Sequence, residues 1–299
     1  MVDSTTLAAI RARLGVSLAP PRLAYRPLWV ERHVAGWVDD ARAARLATFA
    51  QVFEVRDDGI SFATGIDTAA ERSAVLAEVA GALAASGELT PWRDERYAVA
   101  PAFGAEPLFL LERAAARYFG IETFAAHVNG IVAGSTGTAL WFARRSPTKA
   151  IDAGMLDNLV GGGIAAGMSV AATVAKEAWE EAGVPAPLAR RAAATGVVTI
   201  CREQADGLQR ETIFVHDLWL PADFVPSAVD GEVVEHRRVP LPAAAALIAE
   251  PTGPDVVTAD ASLVVLDCLM RHGAILPDAP EYLPLAALRH PPLTIPRPR

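Results

Sequence analysis

Three carboxylates, Glu177, Glu180 and Glu181, stand at spacings of three and four in the segment GGGIAAGMSVAATVAKEAWEEAGV, residues 161–184. Residues three and four apart share one side of an α-helix. Like charges gathered there repel, and Lys176 answers only part of the repulsion. A cation or solvent must answer the rest if the cluster is not to cost folding free energy. The helix is marked at both ends. Ser169 is the residue type whose hydroxyl accepts from a free N–H at a helix start, and Gly183 the type that takes the left-handed conformation just past a helix end. Ala171, Ala175, Ala178, Trp179 and Ala182 form an opposite, mostly small-residue arc suited to close packing on a sheet.

The whole chain narrows the chemistry. Its 299 residues suffice for two domains, and 52% hydrophobic with 21% charged residues is a globular composition. A net charge of −8 argues against general nucleic-acid binding, which needs a basic face. It leaves room for an anionic substrate wherever basic side chains or metal ions gather. Cys201 and Cys268 suggest buried thiols in a reducing compartment, not a disulfide framework or a thiolate metal site. MVDSTTLAAIRARLG carries no apolar secretory segment, so a cytoplasmic protein is expected. Residues 158–175 run without a charge, but their glycines and Ser169 break the run into two elements, and no membrane span is expected.

Three regions are expected. Residues 1–121 read as an α+β accessory unit, with helices over 5–14, 39–50, 68–86 and 108–118 and a hairpin over 51–62 turning at Asp58-Gly59. The stretch APPRLAYRPLWV reads as a connector, and 97–100 as a short strand. Residues 122–275 turn to strands: 123–132 and 138–143 flank a Gly-Ser-Thr-Gly turn, 197–202 and 211–220 form a second hairpin, and 232–239 another strand. Helices are expected over 241–250 and 258–271, and residues 276–299, rich in proline, read as an irregular tail.

Hairpin, glycine turn, carboxylate helix and mixed strands together resemble the Nudix hydrolases. The family's box, anchored at Gly162 and ending at Val184, matches at Gly162, Glu177, Glu180, Glu181, Gly183 and Val184, with Ala178 at an aliphatic position. Met168 stands where the box has its first glutamate, and Lys176 where it has arginine. His127-Val128-Asn129-Gly130, Trp141, Arg144-Arg145-Ser146, Lys149, Leu156-Asp157-Asn158 and Asp230-Gly231-Glu232-Val233 resemble the Nudix subfamily described as thiamine-pyrophosphokinase-related, whose members carry an additional N-terminal domain. No Walker-type ATP loop accompanies the resemblance.

The resemblance implies an α/β/α sandwich with a mixed sheet, preceded by a smaller α+β domain. It implies a hydrolase of an organic diphosphate, either a nucleoside diphosphate derivative or a compound like thiamine diphosphate, with a metal-activated water as attacking group. Glu177, Glu180 and Glu181 would then hold Mg2+ or Mn2+, with Glu177 and Glu181 at the catalytic centre. A further glutamate outside the box is Glu232 or Glu235; alternation along a strand puts these two on opposite faces, and Glu232 is preferred. Arg144, Arg145 and Lys149 are the candidates for phosphate contact, with Gly162 and Gly163 giving close backbone approach. Arg202 and Arg210 are weaker candidates, and His127, His216 and His236 have no ligand-like spacing. Lys176 keeps the charge of the arginine it replaces without its bidentate fork. A non-catalytic diphosphate-binding or regulatory module on the same scaffold is the alternative reading, motivated by Met168 and Lys176. The apolar content and tryptophans would suit a homodimer.

Overall fold

The computed structural model describes residues 2–89, 92–134, 137–292 and 294–298. A first helix, α1 (Ser4–Ser17), starts where the Asp3 carboxylate accepts the Thr6 N–H. A four-stranded sheet follows: β1 (Tyr25–Val30), β2 (His33–Asp39), β3 (Phe53–Arg56) and β4 (Gly59–Phe62), in the order β2-β1-β4-β3, with α2 (Asp40–Leu46) after β2. Strand β1 lies inside the expected connector; the β-branched and aromatic residues around Pro27 outweigh the prolines. The hairpin over 51–62 is β3–β4, closing with Arg56 opposite Gly59. Helix α3 (Ala69–Ala85) opens on a capping box in which the Thr68 hydroxyl accepts the Glu71 N–H and the Glu71 carboxylate accepts the Thr68 N–H. Leu76, Val79, Ala80 and Leu83 carry its buried stripe.

The helix expected over 108–118 is instead a strand and a single turn. Strand β6 (Phe109–Glu112) pairs with β5 (Arg96–Val99), and a 3-10 turn follows at Arg113–Ala115. A short apolar run such as Phe109-Leu110-Leu111 does not distinguish strand from helix by periodicity. Here pairing to Tyr97 and Val99 decides it, and the Glu112 carboxylate caps the turn by accepting the Ala114 N–H.

The second unit holds β7 (Glu122–Gly134), β8 (Gly137–Arg145), β9 (Leu156–Asn158), β10 (Val160–Gly163), α4 (Val170–Ala182), α5 (Ala186–Ala189), β11 (Ala193–Gln204), β12 (Gly207–Trp219), β13 (Val233–Pro240), α6 (Leu241–Ala249), α7 (Ala259–Arg271) and α8 (Tyr282–Leu288). The sheet runs β11-β12-β7-β8-β13, with β10 on β7 and β9 on β8. Only β12–β7 is parallel among these pairs, so the sheet is mixed. In the β7–β8 hairpin, Ser135 and Thr136 of the expected turn lie outside the described residues.

Alternation along β7 sends Ala126, Val128 and Val132 to one face, under Val174, Ala178 and Ala182 of α4. Ala125 and Ile131 go to the other face, in one core with α1, α6 and α7. Helices thus cover both faces, the α/β/α sandwich expected for the fold. Helix α1 does not belong with the strands that follow it. Leu7, Ile10 and Leu14, all buried, pack it against α6, α7 and α8. Nor is the chain's end an irregular tail: α8 buries Leu285 in the same core, and the Tyr25 N–H donates to the Pro296 carbonyl at 2.8 Å. No helix among the described residues is long and apolar enough to cross a membrane.

Candidate active site

Helix α4 is set by its ends. The Ser169 hydroxyl accepts the Ala172 N–H at 3.1 Å, and Gly183 closes the helix at φ 62°, where a Cβ would meet the Ser227 carbonyl oxygen at 2.7 Å. Its buried stripe runs through Val174, Ala178, Glu181 and Ala182. The small-residue arc is therefore rotated from the one expected: Trp179 points out at 52% exposure, and Glu181 takes the seam between sheet and cleft.

Strand β10 fits under that seam because it is made of glycine. The Gly161 N–H donates to Glu181 Oε2 at 2.9 Å. A Cβ on Gly162 would fall 2.3 Å from Glu177 Cγ, and one on Gly163 would fall 2.3 Å from the Tyr97 hydroxyl. Gly162 and Gly163 line the cleft, but the side chains of Glu177 and Tyr97 occupy the space that their missing Cβ atoms leave.

Charge in the cluster is poorly balanced. Burial pushes the Glu181 carboxyl up to about 8, with Asp157 and Glu177 adding to the shift and the Gly161 N–H and Lys149 opposing it. Burial also raises Glu177, against a hydrogen bond from Lys176. The Lys176 ammonium donates to Glu177 Oε1 at 3.0 Å and to Glu180 Oε2 at 2.7 Å. All three glutamates face one cleft of about 360 Å³, whose lining includes ten carboxylates and six lysines or arginines. Such a cleft repels a diphosphate unless cations enter with it.

Residues 123–259 match the family described as NUDIX domain, and residues 19–123 match a domain of unknown function, DUF4743. Over 261 residues the chain is 37% identical to Nudix hydrolase 24, chloroplastic, of Arabidopsis thaliana, covering 87% of this chain and 71% of that protein. Over 268 residues it is 34% identical to Nudix hydrolase 20, chloroplastic, of the same plant, with the same coverage of 87% and 71%.

The chain belongs to the Nudix hydrolases.

It is thus a hydrolase of acid anhydrides, in a family that acts on nucleoside diphosphate derivatives and generally uses Mg2+ or Mn2+. At the two positions where the box departs, the structure shows the local consequence. Met168 is partly buried against the core beneath α4, and Lys176 bridges two box glutamates. The Nudix fold brings Arg145, Lys149 and Glu232 to the cleft. Arg145 donates to Asp157 Oδ2 at 2.9 Å and to the Ile151 carbonyl. Lys149 is ion-paired with Glu232.

Arg144 is a correction. It does not line the cleft; its guanidinium is held by Glu235 and Asp255, both at 2.6 Å, and by the carbonyls of Gly154 and Pro254. Antiparallel pairing to β13 explains it, since Arg144 lies opposite Glu235 and is tied into a surface ion network with Arg237. Glu235 is excluded from the cleft by the same bonds. His127 lines the cleft and pairs through Nδ1 with Asn158 Oδ1 at 2.8 Å, whereas His236 donates from Nε2 to the Glu181 carbonyl at 2.9 Å and braces the site from behind.

Sequence reasoning missed the other contributors. Asp157 lines the cleft, as does Glu211, whose carboxyl burial pushes up. Arg93, Tyr97, Arg113 and Arg117 come from the N-terminal unit. Nothing in their spacing marks them, because only the packing of the two units brings them to the box.

Proposed function

We propose that this Nudix chain is a divalent-metal-dependent hydrolase of an organic diphosphate, with Glu177, Glu180 and Glu181 as the metal-holding residues. One observation carries the reading: a buried carboxylate, Glu181, held by one backbone N–H beside Glu177 and Asp157, with its ionised form disfavoured. Three oxygen-donor side chains on one helix face, short of positive charge, suit a hard divalent cation such as Mg2+ or Mn2+. Such an ion would polarise the phosphorus centre and lower the pKa of a bound water. The chain's own groups do the rest. Gly161 fixes the rotamer of Glu181, and Lys176 spans Glu177 and Glu180. Glu232, at the cleft and ion-paired to Lys149, is the candidate to accept a proton from the attacking water. Arg145 and Lys149 contribute positive field beside the diphosphate.

The subfamily resemblance makes thiamine diphosphate or an altered form of it the first compound to try. A homodimer would cover exposed apolar side chains such as Trp179 and Val234, and a reducing, cytoplasmic setting suits the buried free thiols of Cys201 and Cys268. The test is release of a monophosphate with Mg2+ present, compared between the parent and Glu181→Gln; equal rates would sink the metal assignment. A binding module is the second reading, favoured by Met168 and Lys176 at the departing box positions. It would show as a diphosphate that stays bound and uncleaved with Mg2+.

A further inference from the structure

The cleft's cations are unequally available. Of the six that line it, Lys176 already donates to Glu177 and Glu180, Lys149 to Glu232, and Arg145 to Asp157 and the Ile151 carbonyl. Arg113 donates to Glu95 Oε2 at 2.6 Å and stands over the Tyr97 ring, which makes it a pillar of the wall. Two remain. No hydrogen bond or ion pair among the described residues engages the exposed guanidinium of Arg93, which is anchored only through its backbone N–H on Glu112 Oε1. Arg117 reaches Asp206 only loosely, at 3.4 Å from both carboxylate oxygens. Both belong to the N-terminal unit.

That unit is fastened to the box. The Ala166 N–H, in the loop leading to α4, donates to the Arg96 carbonyl at 2.8 Å. The Tyr97 hydroxyl fills the space above Gly163, and the Phe103 ring packs on Phe124 at 4.8 Å and on Phe214 at 4.9 Å. The Arg117 carbonyl accepts the Leu208 N–H at 2.9 Å, and a Cβ on Gly207 would sit 2.0 Å from that oxygen. Arg93 and Arg117 are thus presented to the cleft from backbone that is tied down on either side.

The geometry points to a binding role for the N-terminal unit: Arg93 and Arg117 take phosphate oxygens of the diphosphate substrate that the carboxylate cluster does not engage. This rests on the diphosphate reading of the site and assigns the accessory unit a share of it. An arginine with free donors matches a phosphate by paired, charge-assisted hydrogen bonds. Both residues touch substrate in the ground state as well as during reaction, so they act on binding more than on turnover.

The probe is methylenediphosphonate, which cannot be hydrolysed at its bridge, titrated calorimetrically with Mg2+ into the parent, Arg93→Ala, Arg117→Ala and the double variant. Affinity should fall about tenfold or more in the double variant, with weaker salt dependence and an unchanged unfolding midpoint. On an organic diphosphate that the parent cleaves, KM should rise in the same proportion while kcat stays within about threefold. Arg93→Lys should restore part of the loss. Arg93→Ala removes an exposed side chain without partners among the described residues, so it keeps the test sharp if Arg117→Ala perturbs folding. Probe affinity and KM within about twofold of the parent overturn the assignment while leaving hydrolysis intact, and so does a parent that fails to bind the probe. A parent that binds the probe through these arginines yet cleaves no diphosphate defeats the hydrolase reading and upholds this one.

Discussion

Two carboxylate clusters lie in the Nudix domain, and they are balanced in opposite ways. In the cleft, the Glu181 carboxylate has one backbone N–H as hydrogen-bond partner among the described residues and is pushed up to about 8. On the α7 side, Asp217 accepts from Arg271 at 2.5 and 3.0 Å, from His272 at 2.7 Å and from Asn129 at 3.0 Å. Burial alone would raise Asp217, but those donors outweigh it and hold the carboxyl below its ordinary value. Asp267 beside it is paired with Arg271 and Arg289. By composition the second cluster looks the better metal site, since Asp217, Cys268 and His272 lie within ligand distance of one another. Its anion is already neutralised, and burial, with Asp217 beside it, pushes the Cys268 thiol up, away from the thiolate that a metal needs. Charge balance, more than the list of residue types, separates a cluster that can take a cation from one that locks helices together.

Substitutions can break that contrast. Glu181→Gln should lower Mg2+-dependent turnover roughly 10²–10³-fold, as loss of a group that stabilises developing charge commonly does. Asp217→Asn should leave kcat/KM within about threefold at a temperature where the variant is folded. Its cost falls on stability instead. With Arg271 and His272 facing a neutral amide, unfolding in urea should show a loss of about 3–5 kcal/mol, the range for breaking a buried pair on one side.

The pH dependence should differ in sign between the clusters. A carboxyl raised on folding penalises the folded state once it must ionise. The metal-free protein should therefore lose stability as pH rises from its ordinary carboxylate range to about 8 at Glu181. Glu181→Gln should flatten that slope and, at pH 8, stabilise the metal-free protein by about 1–2 kcal/mol. Asp217, lowered on folding, contributes stability that is present at neutral pH and lost in acid below the ordinary aspartate range. Thermal midpoints measured against pH, with and without chelator, check both; a metal-free stability that rises toward pH 8 contradicts the assignment at Glu181. Gly162→Ala drives a methyl against Glu177 Cγ. The Glu177 side chain can yield, so about 1–3 kcal/mol of stability and a few-fold loss of metal affinity are expected by denaturation and titration.

Much of the frame is legible in the amino-acid sequence, for physical reasons. Caps and periodicity announce α3 and α4, helical spacing gathers Glu177, Glu180 and Glu181 on one side of α4, and the resemblance to the Nudix box is what marks them as metal-holding candidates. What escapes is decided by tertiary contact. Strand β6 owes its form to pairing with β5, and α8 owes its form to the core that α1 shares with it. Arg144 reads as a phosphate ligand until β13 places Glu235 opposite it. Arg93 and Arg117 carry no motif; they reach the cleft only because Tyr97, Phe103 and the Arg117 carbonyl dock one unit on the other.

The under-neutralised glutamates, and not the α7 cluster, should take the divalent ion. Mn2+ binding followed by electron paramagnetic resonance at pH 8 tests it directly, with the parent, Glu177→Gln/Glu180→Gln/Glu181→Gln and Cys268→Ala side by side. Binding should be lost in the triple glutamine variant and unchanged in Cys268→Ala. Parent-like Mn2+ binding by the triple variant, or its loss in Cys268→Ala, would take the ion away from the α4 glutamates.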